Sequence, residues 1–592
     1  MNEHLYQQKS LAWKILDRQS QYETIRQPYD DLMAEIINFT DPGLSSWTDV
    51  DGSKYRGKKI YEGTAPWALR VMADGWIGSL ISEALSQWFK YLFPEPSMRG
   101  VDEVNEWIQQ LEDYERSVYR SSKVYAAMGP FSRCGLSVGS SVVMPWESED
   151  GTIDCDVPHP KENYHGPLDS YHRKYKIDVA TAVKRFMRGK VPTDPEGMLS
   201  APLSYELIKD WLDGRHAKRY EFVKAIYRSD DPILDSEAAK YKGKPWMEFY
   251  VQKPNPGDSS GSWSDNLDAK RLLQTEEGGY FTKPHIKWDY EINTDEYYAR
   301  TPASMAIHDI KTHNEFERLG MEAAQRHQQP PMWLMRKYRN QWTGYPGSKI
   351  YYDNADEAVA KPEAIYDGTN WEVGKEQADR IRRSVERWFQ TDYFQLVTQL
   401  TATNKGAWPT LGQIIKLEGE KAVILAPRVG RFTTVLRELD NRIFDIQLRK
   451  GALPEPPPIV QDYFGNQAAM GNDKVDIQVE FIGPLTGIQQ RSETLGRSEE
   501  GLQIIKSYVE LDRMLTKKVR LSVQLEKDLE NIRWSQDAIT PEDEYNEILA
   551  DEAEAAAEER ALEMAGGAAK AAQGVSGPVD ESSILAKIGA AA

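Results

Sequence analysis

Only two cysteines, Cys134 and Cys155, occur in 592 residues. That excludes a disulfide framework and any four-cysteine metal site, and leaves reduced thiols of an intracellular protein as the expectation. Long apolar runs are missing as well. No stretch of about 18 apolar residues occurs, so no segment is expected to span a bilayer. The opening residues, MNEHLYQQKSLAWKIL, lack the apolar centre and small-residue cleavage site of a secretory signal. There is no G-x-x-x-x-G-K-[ST] loop and no G-x-G-x-x-G after an expected strand, so nucleotide hydrolysis is not expected. Positive charge is short: 73 Lys and Arg against 92 Asp and Glu leave a net charge of −19. A general DNA coat would need the opposite balance for its phosphate contacts. The excess is uneven, since residues 541–592 carry twelve acids and three bases, about half of the imbalance.

What is present reads as a folded chain of two to four domains, with 40% hydrophobic and 28% charged residues. Residues 1–50 read as mostly helical. Trp13 and Leu16 have polar neighbours that pin no face, whereas Tyr29, Leu32, Ile36 and Ile37 give a clear apolar one. Residues 51–60 read as a turn-rich connector. Residues 61–89 read as one helix capped by Thr64, with Pro66 in its first turn and a stripe of Ala68, Met72, Ile77, Leu80 and Leu85. A further helix over 101–128 carries Val104, Trp107, Ile108, Leu111 and Tyr114. From Phe131 short β-type runs (LSVGSSVVMPW, MEFYVQ, GGYFTKPHIKWDY) predict a mixed body to residue 298, interrupted by helices near 178–190 and 201–215.

The next stretch, ARTPASMAIHDIKTHNEFERLGMEAAQRHQQPP, covers residues 299–331 and reads as one long helix between prolines. Pro302 suits a first turn, where no N–H is needed, and Pro330-Pro331 cannot continue the ladder. Its apolar stripe (Ile307, Ile310, Leu319, Ala323) is thin. Such a helix is poor at building a private core and good at standing beside copies of itself. Residues 332–370 read as β and turn. A second amphipathic helix over 376–394 sets Ile381, Val385, Trp388 and Phe389 opposite Arg380, Arg382, Arg383 and Arg387. A threonine-rich loop, QLTATNKGAWPT, spans 399–410. A helix of about forty residues, with a break expected near Ala426-Pro427, runs to Gly451. Then come a rigid proline-rich connector at 453–458, a strand within 475–486 and helix again over 488–534. The tail from Pro541 reads as an Ala/Glu helix-prone block followed by a mobile Gly/Ala/Ser stretch.

Several of these residues carry a resemblance to the portal, or head-to-tail connecting, proteins of short-tailed double-stranded DNA phages. In that family a Pro before a Met, an Asp-Ile-Lys, an Asn and a closing Pro-Pro recur in order. Here they are Pro302, Met305, Asp309-Ile310-Lys311, Asn314 and Pro330-Pro331. Thr64-Ala65, Trp88-Phe89 and Pro94 match an earlier segment, and Thr401-Ala402-Thr403 matches the tunnel loop. Arg442, Phe444 and the Gly451, Leu453-Pro454 and Pro456 run match the exit of the wing helix. The chain departs at the loop, where Asn404-Lys405-Gly406 stands in place of the usual Glu. The match runs from about residue 55 to about 515.

The resemblance implies an α+β, mostly helical, portal-type subunit with wing, stem, clip and helical crown, assembling into a ring. Its parts would be a wing over 1–298, a first stem helix over 299–329, a clip over 330–375 and a second stem helix over 376–398. The tunnel loop would be 399–410, followed by the wing helix and returning strand (411–486), crown (487–540) and acidic tail (541–592). It also implies a homo-oligomeric ring of twelve copies at one capsid vertex of the virion, assembled in the host cytoplasm. Double-stranded DNA would pass through it. Its partners would be the large terminase ATPase, major capsid and scaffolding proteins, a tail adaptor and, in some particles, internal core proteins. No catalysis, cofactor, metal or membrane enters this picture. Thr401, Thr403, Asn404, Lys405 and Trp408 would ring the narrowest point, with Lys405 forming a positive belt. Asp309, Lys311, Glu315, Arg380, Arg383 and Arg387 would belong to the stem, the arginines meeting acids such as Asp309 or Glu315 of an adjacent subunit.

Two other readings compete. Gly135-Leu136-Ser137-Val138-Gly139 fits the nucleophile-elbow pattern of a soluble α/β serine hydrolase, although an elbow needs a strand before it and a helix after it. Another capsid or tail structural subunit is the third. His159, His165 and His172 have irregular spacing for a metal and read as solvated loop histidines, and His308, His313 and His327 share no helix face.

Overall fold

A computed structural model describes residues 10–44, 60–81, 83, 87–99, 101–148, 150–194, 201–234, 243–253 and 272–273. It further describes 278–293, 296, 298–328, 332–333, 363–364, 371–395, 411–469, 477–483 and scattered positions from 548 to 564. The chain divides into two compact units, Met1–Gln489 and Gln490–Ala592. Of the second, only helical positions between Ile548 and Met564 are described.

In chain order the first unit contains α1 (Leu11–Thr40), α2 (Thr64–Leu80), β1 (Phe89–Leu92), α3 (Asp102–Ser121), α4 (Val124–Ser137), β2 (Ser141–Glu147) and β3 (Ile153–Asp156). There follow β4 (Asn163–His165), β5 (Tyr171–Asp178), α5 (Val179–Met187), α6 (Tyr205–Leu212), β6 (Arg219–Arg228), β7 (Trp246–Gln252), β8 (Leu272–Leu273), β9 (Gly279–Tyr280) and β10 (Ile286–Trp288). The last elements are α7 (Pro302–Gln328), β11 (Met332–Trp333), β12 (Glu363–Ala364), α8 (Trp371–Trp388), α9 (Thr391–Phe394), α10 (Leu411–Lys450), α11 (Pro458–Ala469) and β13 (Gln478–Phe481).

The largest described sheet is antiparallel and six-stranded, β4-β5-β6-β7-β8 with β9 also on β7, and packs on β2 through Tyr171, Ile226 and Trp246. Alternation along β6 and β7 assigns its two faces. Tyr220, Phe222 and Tyr250 pack under α5 and α6, while Val223, Ala225, Tyr227, Met247 and Phe249 face Ala12 and Ile15 of α1. The larger core joins α2, α3, α4, α7, α8 and α10 with the short sheet β10-β2-β3. Along α10, Leu425, Val429, Phe432, Leu436, Leu439, Ile443 and Ile446 are all buried, a spacing of four and three that keeps one face inward for six turns. Trp76 of α2, Trp288 of β10 and Phe432 of α10 meet ring to ring, with centroids 4.8–6.0 Å apart. β13 returns to pair with β1, Phe89 opposite Phe481, so segments almost four hundred residues apart close one ladder.

Several expectations need correction. The helix from Thr64 stops at Leu80, and Phe89 begins a strand. Thr64 does not cap it; Glu62 accepts from both the Thr64 N–H (2.8 Å) and its hydroxyl (2.5 Å). The β texture expected from Phe131 starts later, because α4 continues to Ser137. The long helix does not break at Pro427. Leu425 and Val429 on either side are both buried in the core, which holds the axis across one missing hydrogen bond. The proline-rich connector leads into a helix, α11, that begins at Pro458, again a first-turn proline. Helices expected at 178–190 and 201–215 are present as α5 and α6.

Candidate functional site

α7 and α8 lie side by side and are joined to the larger core through Ala303, Ala306, Ile307 and Ile310 on one and Val385 and Phe389 on the other. Between them Asp309 accepts a hydrogen bond from the Ser384 hydroxyl at 2.7 Å and another from the Trp388 indole N–H at 3.2 Å. Ser384 and Trp388 are one turn apart on α8, so a single carboxylate fixes both the separation and the register of the helix pair.

Most of the residues after Asp309 reach outside their own helix. Ile310 enters the core; the Lys311 ammonium pairs with Glu35 of α1 at 2.6 Å. Buried His313 meets the Glu62 carboxylate at 3.1 Å, and the Asn314 side-chain carbonyl accepts from the Tyr61 N–H at 2.8 Å. Burial pushes the Glu62 carboxyl up, but the hydrogen bonds from His313 and Thr64 more than reverse this and leave it below the usual range. The cavity at this joint, bounded by Glu62, Ile310, His313 and Val385, measures about 10 Å³, room for no more than one water. The run Asp309 to Asn314 is therefore a joint that ties α7 to α8, to α1 and to the start of α2.

On the far side of α8 the situation reverses. At 100° per residue Arg380, Arg383 and Arg387 fall within about 60° of one another, opposite Val385 and Phe389. All three are exposed and line a shallow groove with Glu376 and Gln377. Arg382, on the flank, is held by Asp379 at 3.1 Å and lies 4.0 Å from Glu386. Among the described residues no carboxylate lies within ion-pair distance of Arg380, Arg383 or Arg387; Arg383 donates to the Asp379 backbone carbonyl at 3.3 Å. The expected partners are occupied within the same subunit. Asp309 serves Ser384 and Trp388, while Glu315 and Glu322 both pair with Arg318. Thr401, Thr403, Asn404, Lys405 and Trp408 lie outside the described residues, as does most of the segment between α7 and α8.

Ser137 has the wrong surroundings for a nucleophile. It ends a helix and precedes a strand, the reverse of an elbow, and its fully buried hydroxyl faces the Cys134 carbonyl at 3.4 Å. The glycines of the motif have packing roles. A Cβ on Gly135 would fall 2.2 Å from the Trp288 ring, and Gly139 turns the chain with φ of +82°. His165 and His172 are not solvated loop residues either, whereas His159 is half-exposed in a loop. His172 is fully buried in β5 between Gln19 (3.0 Å) and the Tyr227 hydroxyl (2.5 Å), and burial pushes its pKa down to about 3. His159 accepts from the Lys161 N–H in a short turn.

One cluster was not anticipated. Where α3 crosses α10, Asp440 accepts from the hydroxyls of Tyr119 (2.9 Å) and Tyr91 (3.1 Å), and Glu115 is fully buried with both carboxyl oxygens unpartnered. Burial, reinforced by Asp440, raises the Glu115 carboxyl well above its ordinary value, and burial raises Asp440 to about 6. Glu112 on the same helix rises to about 7 for the same reason. Glu115 follows Val104, Ile108 and Leu111 at helical spacing, so its place on the apolar stripe was a readable signal.

Comparison with known proteins agrees with the signature residues. The family model described as bacteriophage head to tail connecting protein matches residues 12–527. That span takes in α1, which the motif comparison from residue 55 had left out. The portal protein of Salmonella phage epsilon15 is 23% identical over 494 residues, covering 80% of this chain and 83% of that protein. The chain belongs to the bacteriophage head to tail connecting, or portal, proteins.

Proposed function

We propose that this chain is the subunit of a closed ring of twelve copies at one vertex of a phage capsid, the passage by which double-stranded DNA enters and later leaves. The family match over residues 12–527 carries this reading. The helix pair α7–α8 would form the stem around the passage, with residues 330–375 as the clip and 399–410 as the constriction. The clip would meet the large terminase ATPase during packaging and a tail adaptor afterwards. The wing would face the major capsid and scaffolding proteins, and the crown and tail the capsid interior, where internal core proteins could dock. The twelve acids of residues 541–592 would repel packaged DNA from the mouth of the passage. Assembly would take place in the host cytoplasm.

In this reading the protein acts by geometry and charge and makes no bond. A stem that carries load must keep its angle to the wing, and the Asp309–Asn314 joint supplies four anchors for that within six residues. The test is the mass of the native particle. Twelve chains of 67.6 kDa give a species of about 0.8 MDa. A stable monomer or dimer at micromolar concentration would sink the ring.

A further inference from the structure

We infer that the outward stripe Arg380–Arg383–Arg387 on α8 is a contact surface for the phosphate backbone of double-stranded DNA. This rests on the portal reading and deepens it, since the helix pair is there taken to border the passage.

The stripe is unpaired for a reason other than scarcity of acid. The chain has 92 acidic residues against 73 basic ones, and Arg382, one position away from Arg383, finds both Asp379 and Glu386. Among the described residues Arg380, Arg383 and Arg387 have no carboxylate within ion-pair distance, and neither has Lys375 near the start of the same helix. Three guanidinium groups on one exposed face repel each other and hold condensed or diffuse anions from solution. Binding a polyanion releases those ions and the cations around the polyanion together, which is the main source of non-specific DNA affinity.

The geometry suits a duplex. Arg380 to Arg387 spans about 10 Å along the helix axis. A duplex carries about one negative charge per 1.7 Å of its own axis, so the stripe faces several phosphates at once. A guanidinium presents a planar fork of donors that matches two phosphate oxygens. No pocket encloses the three side chains; they project from one open helix face, so each contact can form and break as a duplex moves past, without regard to base sequence. Glu376, one turn towards the N-terminus on the same face, bounds the stripe with a repelling charge.

A second copy of the chain is a poorer occupant. Its α7–α8 pair offers few free carboxylates: Asp309, Glu315, Glu322 and Glu35 are each engaged inside their own subunit, and the exposed Glu376 lies on the same face as the arginines themselves.

The experiment compares the full-length assembled protein with R380Q/R383Q/R387Q and with R382Q as control. Binding of a short labelled DNA duplex is followed by anisotropy across a salt series, with native mass recorded for each sample. The triple variant is expected to bind about tenfold or more weakly at low salt. Its slope of log affinity against log salt should be shallower by about one for each arginine that touches a phosphate. R382Q should match the parent, and all particles should keep one mass. Unchanged duplex binding by the triple variant overturns the assignment and leaves a solvated face. Break-up of the particle by the triple variant also overturns it, in favour of a contact between copies. Equal binding of polyglutamate, lost in the same variant, overturns it in favour of an acidic protein partner. If the parent itself forms no large particle, the portal reading fails, which is a separate result.

Discussion

The core around α3 and α10 and the outer face of α8 treat unpaired charge in opposite ways. At the crossing of α3 and α10, Glu115 has no hydrogen-bond donor and no ion-pair partner among the described residues, and it is fully buried from water. A carboxylate cannot remain ionised there, so the group keeps its proton and the charge disappears. On α8, Arg380, Arg383 and Arg387 also lack a partner, but water surrounds them and their charge persists. An unpaired charge in the core is thus a matter of stability and pH; on the outer face of α8 it is available to another molecule. Between these extremes lies the Asp309–Asn314 joint, where buried and half-buried groups each have partners within the chain.

Glu115→Gln should give the largest effect, because it imitates the neutral acid permanently. The sign follows from linkage. An acid with its folded pKa raised stabilises the fold fully below its unfolded value of 4.5, and that contribution is lost as pH rises towards the folded value. The parent should therefore lose stability between pH 5 and 8, with Asp440 and Glu112, raised to about 6 and about 7, adding to the slope. Glu115→Gln should be clearly more stable than the parent at pH 8, and the gap should close as pH falls towards 4.5. Denaturant titration at pH 8 and pH 5 decides. An equal shift at both would mean that Glu115 is ionised in the fold and the contrast with α8 is wrong.

The joint should come next. His313→Ala removes a buried group from Glu62 and should cost about 2–3 kcal/mol. Asp309→Ala should cost about 1–2 kcal/mol, and Asp309→Asn less, since an amide oxygen can still accept from Ser384 or Trp388. Acidification should weaken the joint: Glu62 has its folded pKa lowered, so its contribution is present above the unfolded value and fades as pH falls through the folded one. Hydrogen exchange on α8 would reveal it. If Asp309→Ala left exchange in α8 unchanged, the two helices would be held by apolar packing alone.

Much of this architecture was legible where a side chain does what its polarity suggests. The helix between Pro302 and Gln328, its partner on α8 and the strand ending at Phe481 all follow from apolar spacing and proline position. The failures share a cause. The first half of α1 buries Gln19, Tyr22 and Arg26, whose partners His172, Ser170 and the carbonyls of Lys161 and Asn163 are more than 130 residues away. No apolar face could mark it. Gly135 looked like part of a catalytic motif because nothing local shows the Trp288 ring that requires it. The signature residues of α7 were legible in the sequence, but their partners within the chain were not: nothing local shows that Ser384, Trp388, Glu35 and Arg318 engage Asp309, Lys311 and Glu315.

The smallest folding effects should come from the charges that α7 and α8 leave in water. Lys311→Ala breaks an ion pair whose members are 43% and 36% exposed, and should change stability by less than about 0.5 kcal/mol. Neutralising Arg380, Arg383 and Arg387 one at a time should cost no more than that, because no described carboxylate loses a partner. Unfolding midpoints of Lys311→Ala and Arg383→Gln should both stay close to the parent. A clear loss for Arg383→Gln with none for Lys311→Ala would show that the stripe supports the helix pair internally. In that case the exposed arginines would belong with the joint, and the division between charge that stabilises and charge that recruits would have to be redrawn along α8 itself.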